Sequence, residues 1–204
     1  MTQRIALVSG GIGGLGTAIC RALAHAGHRV IAVDLGGRDE RVAAFQAAVA
    51  GLDVSFAALD VTDFDACGAL VARLEAEHGA VDILVNAAGI TRDARLVKMD
   101  KRQWDDVLSV NLDGVFNLCR HVVDGMAARG HGRIVNISSI NGQTGQFGQT
   151  NYAAAKAGMH GFTMSLAREV ARKGVTVNSI SPGYIDTEMT RAIREDVREQ
   201  IVAG

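Results

Sequence analysis

Short apolar runs and longer amphipathic stretches alternate along the whole chain. The apolar runs are rich in Val, Ile, Leu and Ala, which is typical of strands buried on both faces of a parallel sheet. They predict strands at residues 3–9, 29–34, 54–60, 81–86, 132–138 and 175–181. The stretches between and after them predict helices at residues 14–26, 39–50, 64–78, 100–129, 151–173 and 187–203.

The regular alternation of strands and helices predicts an α/β fold. We expect one Rossmann-like, doubly wound parallel sheet with helices on both faces and right-handed crossovers. Nothing in the 204 residues suggests a repeat or a linker, so a single domain spanning 1–204 is expected. Because 48% of the residues are hydrophobic but only 4% are aromatic, the core must be mainly aliphatic. In such sheets ligands bind over the carboxyl ends of the strands.

The charge and hydropathy of the chain exclude several classes of partner. The formal net charge is −1, so no strongly basic surface is expected to attract a nucleic acid. No segment approaches the length of apolar chain that spans a membrane, and Arg4 precedes only a short apolar run, so neither a membrane span nor a signal peptide is expected.

The cysteines and histidines indicate neither a disulfide nor a metal site. Cys20, Cys67 and Cys119 are far apart and lie on predicted helices, so we expect buried free thiols in a reducing, cytoplasmic protein. The six histidines lack metal-ligand spacing and are expected at the surface or at helix ends. We therefore expect no metal.

A glycine-rich turn separates the first strand from the first helix. Gly10, Gly14 and Gly16 allow a sharp turn and close approach of a ligand to the backbone. At a helix start, amide N–H groups and the helix dipole favour a phosphate. The spacing differs from the usual Gly-x-Gly-x-x-Gly pattern, and a glycine cluster at this place is also compatible with a plain turn.

Ser139, Tyr152 and Lys156 form the most specific chemical pattern in the chain. Tyr152 and Lys156 are four residues apart on a predicted helix and therefore share one face. A cation one turn away stabilises a phenolate, so we expect Lys156 to lower the pKa of Tyr152. The phenol can then exchange a proton with a carbonyl or alcohol oxygen, while the Ser139 hydroxyl bonds the same oxygen.

These motifs together resemble the short-chain dehydrogenase/reductase family, and the match runs from about residue 3 to the end. Asp60-Val61 resembles the family's adenine-pocket element, and Asn86–Gly89 resembles its Asn-Asn-Ala-Gly motif with Ala87 replacing the second asparagine. Pro182-Gly183, with Thr187, matches the loop that holds the nicotinamide amide. The family's further C-terminal strand and helix are expected to be missing from this chain. The resemblance also implies a homotetramer.

The resemblance implies two sets of site residues. The expected catalytic residues are Asn111, Ser139, Tyr152 and Lys156. The residues expected to contact the cofactor are Gly10, Gly11, Ile12, Gly14, Leu15, Gly16, Asp34, Asp60, Val61, Asn86, Ala87, Ala88, Gly89, Tyr152, Lys156, Pro182, Gly183, Ile185 and Thr187. Asn111 is expected to hold a water that re-supplies protons through Lys156, although an asparagine bonded to backbone at a helix kink is the alternative.

Asp34, at the end of the second predicted strand, bears on the choice of cofactor. A carboxylate there accepts hydrogen bonds from the ribose hydroxyls and repels a 2′-phosphate, which favours NAD(H). Asp34 could instead cap the following turn. Arg38 and Arg41 could grip a phosphate, so NADP(H) is the alternative cofactor.

More specific patterns occur around the catalytic residues, at 141–151, 181–186, 91–93 and 98–99. They are similar to those of the acetoacetyl-CoA reductases, a group within the family that supplies (R)-3-hydroxybutyryl-CoA for polyhydroxybutyrate synthesis. This similarity implies acetoacetyl-CoA as the acyl-CoA substrate. The residues it places at the substrate are Asp93, Lys98, Ser139, Gln146, Phe147, Gln149, Tyr152 and Tyr184. Phe147 could instead be a packed loop aromatic, and Gln146 and Gln149 could be loop-stabilising amides.

Two other functions stay open from the sequence. A 3-oxoacyl-(acyl carrier protein) reductase would perform the same chemistry on a different carrier. A non-catalytic module that binds NAD(H) is the alternative of another class, although such a module would not need a tuned phenol.

Overall fold

The computed structural model describes residues 3–185, which contain one six-stranded sheet. Every strand pairs in parallel with its neighbours, in the order β3-β2-β1-β4-β5-β6. The strands are β1 Ile5–Ser9, β2 Arg29–Asp34, β3 Val54–Ala58, β4 Val81–Asn86, β5 Gly132–Ile137 and β6 Val175–Ile180. The predicted parallel sheet is confirmed, and each strand lies within its predicted range.

Seven α-helices connect or follow these strands within the described residues. They are α1 Gly14–His25, α2 Asp39–Ala48, α3 Phe64–His78, α4 Lys101–Leu108, α5 Gly114–Arg129, α6 Asn141–Thr144 and α7 Thr150–Val170. The predicted helix 187–203 lies outside the described residues. No helix of the described part is both long and apolar enough to cross a membrane.

Successive strand residues point to opposite faces of the sheet, which explains the two separate cores. In β1, Ile5 and Leu7 join the core formed with α3, α5 and α7, whereas Ala6 and Val8 join the core formed with α1 and α2. All five residues of β1 are buried because helices cover both faces. The predicted doubly wound arrangement is therefore confirmed.

The region predicted as one helix at 100–129 is interrupted. A π-helical segment, Ser109–Asp113, separates α4 from α5. Within it the buried Asn111 side chain accepts a hydrogen bond from the Ile90 N–H (2.8 Å) and donates one to the Ile90 carbonyl (2.9 Å). A polar side chain turned inward to bond another segment is a recognised cause of such local widening.

Two short elements were not expected. They are a 3₁₀ turn at Leu96–Lys98 and the single-turn helix α6. A single turn is too short to show helical periodicity, and α6 is held by tertiary packing instead. A Cβ added to Gly142 of α6 would lie 2.8 Å from the Lys156 carbonyl carbon, so α6 packs directly on the backbone of α7.

The prediction of free, buried cysteines is confirmed, but His121 and His160 are half-buried inside helices rather than at the surface or at helix ends. Cys20, Cys67 and Cys119 are free and buried, and burial raises their thiol pKa values to about 12, 11 and 12. His160 was expected at the surface or at a helix end. It lies inside α7, half-buried, with both ring nitrogens bonded to serine hydroxyls.

Candidate active site

A cleft of about 610 Å³ lies over the carboxyl ends of the strands and collects most of the predicted site residues. The predicted residues that line it are Gly10, Gly14, Leu15, Gly16, Asp34, Asp60, Val61, Ala87, Ala88, Gly89, Asp93, Ser139, Gln149, Tyr152, Lys156, Pro182, Gly183, Tyr184 and Ile185. Those that do not line it are Gly11, Ile12, Asn86, Lys98, Asn111, Gln146 and Phe147. Thr187 lies outside the described residues.

The turn between β1 and α1 has the geometry of an anion site. Gly10 has a φ of +64°, and a Cβ there would lie 2.6 Å from the Ala87 carbonyl oxygen. A Cβ on Gly16 would lie 2.0 Å from the Gly10 carbonyl oxygen. The N-cap residue, Gly13, provides no side-chain cap, so the first N–H groups of α1 remain available to a ligand. The turn therefore fits a phosphate in shape and in polarity.

Three predicted cofactor residues lie behind the lining of the cleft. A Cβ on Gly11 would lie 2.6 Å from the Ala32 side chain, and Ile12 is buried in the core with α1 and α2. The Asn86 amide nitrogen donates to Asn136 Oδ1 (2.8 Å) and lies 3.4 Å from Cys119 Sγ. These three residues therefore do not line the cleft themselves.

Two carboxylates lie at the β2–β3 end of the cleft. Asp34 Oδ1 accepts the Leu35 N–H (2.8 Å) and lies 3.8 Å from Arg38 Nη1. Asp60 Oδ1 accepts the Thr62 N–H (2.9 Å) and hydroxyl (2.7 Å). Asp34 therefore caps the turn that follows β2, which was the alternative to a role in cofactor selection. It also lines the cleft.

Ser139, Tyr152 and Lys156 meet in the cleft. The Ser139 side chain favours the phenolate of Tyr152 and so acts to lower the pKa of that phenol. Lys156 Nζ lies 5.6 Å from the centre of the Tyr152 ring and donates to the Ile137 carbonyl (2.7 Å). The helical spacing of Tyr152 and Lys156 does place both on one face of α7.

Burial dominates the protonation of the tyrosine and the lysine. Burial raises the pKa of the Tyr152 phenol, the Ser139 hydrogen bond opposes this, and the charge of Asp93 adds to it. The net direction is opposite to the lowering expected from Lys156. Burial also lowers the pKa of Lys156 from 10.5 to about 8. The charged and neutral forms of Lys156 are therefore close in free energy near neutral pH.

Asn111 does not line the cleft, because both ends of its amide bond the backbone of Ile90. This is the alternative stated for it above. Its Oδ1 would lie 3.2 Å from a Cβ on Gly89, and Lys156 Nζ would lie 3.6 Å from the same point. Asn111 thus orders the Gly89-Ile90 backbone directly beside the lysine.

A chain of hydrogen bonds connects the cleft mouth to Ser139. Gln149 Nε2 donates to Asp93 Oδ2 (2.9 Å), and Gln149 Oε1 accepts from Asn141 Nδ2 (3.0 Å). The Asn141 N–H donates to Ser139 Oγ (3.2 Å). Since Ser139 Oγ accepts this bond, its hydrogen can point to the Tyr152 phenol. Gln149 is therefore the loop-stabilising amide that one alternative described, and it also lines the cleft.

The remaining predicted substrate residues divide into two groups. Tyr184 lines the cleft and is 42% exposed. Phe147 is 82% exposed, so it is not a packed loop aromatic, and it does not line the cleft as the side chains stand. Gln146 and Lys98 are also exposed and lie outside the cleft lining.

Several cleft residues were not among the predicted site residues. They are Gly13, Leu35, Leu59, Ile90, Thr91, Arg92, Val110, Ile137, Ser138, Ile140 and Asn141; Arg38 and Arg41, the candidates for binding a cofactor phosphate, also line the cleft. Most are chain neighbours of predicted residues, so extending each motif by two residues would have found them. Asn141 could have been predicted as a site residue, because it lies two residues after Ser139 and its amide side chain can both donate and accept hydrogen bonds.

The family model described as short chain dehydrogenase matches residues 4–198 of this chain. An acetoacetyl-CoA reductase of Cupriavidus necator is 55% identical over 205 residues, which cover 100% of this chain and 83% of that protein. Nodulation protein G of Azospirillum brasilense is 56% identical over 98% of this chain and 82% of its own length. A 3-oxoacyl-(acyl-carrier-protein) reductase of Escherichia coli is 45% identical over 98% of this chain and 81% of its own length.

Proposed function

The chain belongs to the short chain dehydrogenase family, and from this premise we propose that it reduces the 3-oxo group of acetoacetyl-CoA to (R)-3-hydroxybutyryl-CoA with NAD(P)H. The observation that carries the proposal is the meeting of Ser139, Tyr152 and Lys156 in the same cleft as the glycine turn. The product would feed polyhydroxybutyrate synthesis.

The cleft contains groups suited to each end of the cofactor. The turn Gly10–Gly16 would hold the diphosphate, Asp34 and the Asp60-Val61 segment the adenosine, and Ala88-Gly89 with Pro182-Gly183 the nicotinamide half. Lys156 would contact the nicotinamide ribose. When bound, the reduced nicotinamide supplies the hydride.

Tyr152 is the proton donor in this proposal. Burial keeps its phenol protonated at neutral pH, which suits donation to the carbonyl oxygen of a substrate undergoing reduction. The phenolate left behind is stabilised by the Ser139 hydroxyl and by the ammonium of Lys156. The Lys156 bond to the Ile137 carbonyl holds that ammonium in place.

Ser139 has a second role at the substrate. Its oxygen accepts the Asn141 N–H, so its own hydrogen can turn between the phenol and the substrate's developing oxyanion. The Asp93–Gln149–Asn141 chain would hold Asn141, and through it Ser139, in this orientation. Asn111 would order the backbone beside Lys156, and a water near it would return protons to the phenol.

A coenzyme A thioester is favoured over a carrier-protein thioester by the degree of similarity. The acetoacetyl-CoA reductase of Cupriavidus necator is 55% identical, compared with 45% for the carrier-protein reductase of Escherichia coli. Tyr184, Asp93 and Gln149 line the cleft and would contact the acyl group. Phe147, Gln146 and Lys98 would contribute at the rim of the acyl site.

NADH is the proposed reduced cofactor, with NADPH as the second. Asp34 lines the cleft, and its charge would repel a 2′-phosphate. Arg38 lies 3.8 Å from that carboxylate and lines the same end of the cleft, so it offsets part of the repulsion. We therefore expect a preference for NADH rather than exclusive use of it.

The proposal extends to the location and the assembly of the protein. Three free buried thiols are consistent with a reducing cytoplasm. A homotetramer is proposed from the family resemblance. It is supported by the exposed, stacked rings of Phe64 and Phe116, whose centroids lie 6.0 Å apart.

The test offers the purified protein NADH or NADPH together with acetoacetyl-CoA or acetoacetyl-(acyl carrier protein), and follows the absorbance of the reduced nicotinamide. Efficient oxidation of NADH with acetoacetyl-CoA is expected. The Tyr152→Phe variant should bind NADH like the wild type but lose turnover, because it keeps the ring and removes the proton.

The outcomes separate the candidate functions. Faster turnover of the carrier-protein substrate would replace the coenzyme A proposal. NADH binding without turnover of either substrate would favour the non-catalytic module. Turnover retained in Tyr152→Phe would remove this phenol from the proton-donating role.

A further inference from the structure

Three serine hydroxyls converge on the imidazole of His160, a residue that the proposed reaction does not use. His160 Nδ1 lies 2.9 Å from Ser179 Oγ. Its Nε2 lies 3.1 Å from Ser138 Oγ and 3.3 Å from Ser181 Oγ. The imidazole is half-buried, and all three serines are at least partly buried.

The neighbouring bonds fix which ring nitrogen carries the hydrogen in the neutral imidazole. Ser138 Oγ donates its hydrogen to the Lys156 carbonyl (2.9 Å), so it must accept from His160. Nε2 is therefore the donor, and Nδ1 accepts the hydroxyl hydrogen of Ser179. Ser181 Oγ also accepts from Gln143 Nε2 (3.1 Å).

These bonds join three parts of the active site. His160 is one turn after Lys156 on α7. Ser138 follows β5 and directly precedes Ser139, while Ser179 and Ser181 flank the end of β6. One imidazole thus ties the helix that carries Tyr152 and Lys156 to the ends of two strands.

The end of β6 leads directly to Pro182-Gly183, which lines the cleft. Two backbone bonds hold that segment against the chain after β5. The Ser138 N–H donates to the Ile180 carbonyl (2.7 Å), and the Ile140 N–H donates to the Pro182 carbonyl (3.0 Å). Ser138 and Lys156 already link the chain after β5 to α7, and the imidazole adds a side-chain link between the end of β6 and α7.

We propose that His160 is a positioning residue that sets the Pro182-Gly183 segment relative to Tyr152 and Lys156, and thereby orders the nicotinamide end of the bound cofactor. This inference rests on the proposed function in one respect, the contact of Pro182-Gly183 with the nicotinamide. His160 acts through the serines and touches no reacting atom.

A side chain of similar volume cannot replace the imidazole in this role. Leucine at 160 would fill the space but offer neither donor nor acceptor. Ser138, which is 3% exposed, would lose its donor from α7, and Ser179 would lose its acceptor. The link between α7 and β6 would then depend on packing alone.

The test compares the dissociation constants of NADH and ADP-ribose, which lacks the nicotinamide, in the wild type and in His160→Leu. Loss of this link should weaken NADH binding about tenfold, corresponding to the loss of one or two hydrogen bonds. ADP-ribose binding should change less than about twofold, because the glycine turn and the β2–β3 end are untouched. Calorimetry measures both ligands.

Two further variants complete the test: a milder change to the same link and a control outside it. Ser179→Ala removes one hydroxyl, with little risk to folding, and should weaken NADH binding about threefold while sparing ADP-ribose. His25→Leu, an exposed histidine late in α1 and outside the cleft lining, should change neither constant.

Equal losses for both ligands would show general destabilisation and overturn the proposal. Unchanged NADH binding in both His160→Leu and Ser179→Ala would overturn it as well. The binding test uses no acyl substrate. If the wild type failed to reduce acetoacetyl-CoA, the proposed substrate would be refuted, but the binding test of His160 could still be interpreted.

Discussion

Lys156 should destabilise the folded protein while serving its active site. The side chain is 4% exposed, and burial lowers its pKa from 10.5 to about 8. Among residues 3–185, its ammonium donates a hydrogen bond to the Ile137 carbonyl. The Lys156→Met variant keeps a similar length and removes the charge, so it separates the cost of the ammonium from the packing of the side chain.

The magnitude and sign follow from linkage between protonation and folding. The folded-state pKa lies below the unfolded value, so the unfolded chain binds more protons between about pH 8 and pH 10.5. The free energy of unfolding of the wild type therefore rises with pH through that window, by roughly 3 kcal/mol from this group. Below pH 8 the full cost is present, because the lysine is charged in both states.

The variant should therefore be more stable than the wild type at pH 7. Removing the ammonium gains roughly 3 kcal/mol, and leaving the Ile137 carbonyl without its donor costs about 1–2 kcal/mol. A net gain of about 1–2 kcal/mol is expected at pH 7, and it should vanish or reverse by pH 10. Turnover should be lost at both pH values, which is the usual conflict between stability and activity.

Urea denaturation of both proteins at pH 7 and pH 10 provides the measurement, since titration of all other groups cancels in the difference. Lys173→Met, at an exposed lysine, is the matched control and should show no pH-dependent difference. A Lys156→Met protein that is less stable than the wild type by the same amount at both pH values would refute the reasoning. The buried ammonium would then be a net stabilising group.

Two further predictions concern the cofactor half of the cleft. Gly16→Ala should weaken NADH binding at least tenfold in a fluorescence titration, because its Cβ would lie 2.0 Å from the Gly10 carbonyl oxygen. Gly161→Ala is the control, since a Cβ on Gly161 would have no neighbouring atom within 4 Å. Normal NADH binding by Gly16→Ala would contradict the anion-site geometry. Asp34→Ser should raise the ratio of kcat/KM for NADPH over NADH about tenfold by removing the repelling charge. Asp39→Ser, outside the cleft lining, should leave that ratio unchanged, and an unchanged ratio in Asp34→Ser would remove Asp34 from cofactor selection.

Local sequence was enough to predict elements whose signals are short-range. The strands are recognisable because their side chains alternate between two cores and are apolar on both faces, as Ile5 and Ala6 illustrate. The shared face of Tyr152 and Lys156 follows from helical spacing alone. The tight glycine turn follows from the close approach that only a missing Cβ allows, as at Gly16.

Tertiary structure decided the features that depend on segments distant in the chain. Asn111 interrupts a predicted helix because its amide forms hydrogen bonds with the backbone of Ile90. Ile90 is 21 residues away in the chain, so no local sequence pattern indicates this partner. Gln149 was expected to shape the substrate pocket or to stabilise its loop. It does the second through Asp93 and Asn141, and it also lines the cleft.

The pKa of Tyr152 also depended on tertiary structure rather than on local sequence. From sequence, the nearest charge suggested a lowered pKa for Tyr152, but burial raises it. The residue types and spacings along the chain thus determined the sheet, the tight glycine turn and the shared helix face of the proposed reactive groups. Only the folded structure decided how strongly each group is withdrawn from water, because desolvation sums contributions from every segment that packs around it.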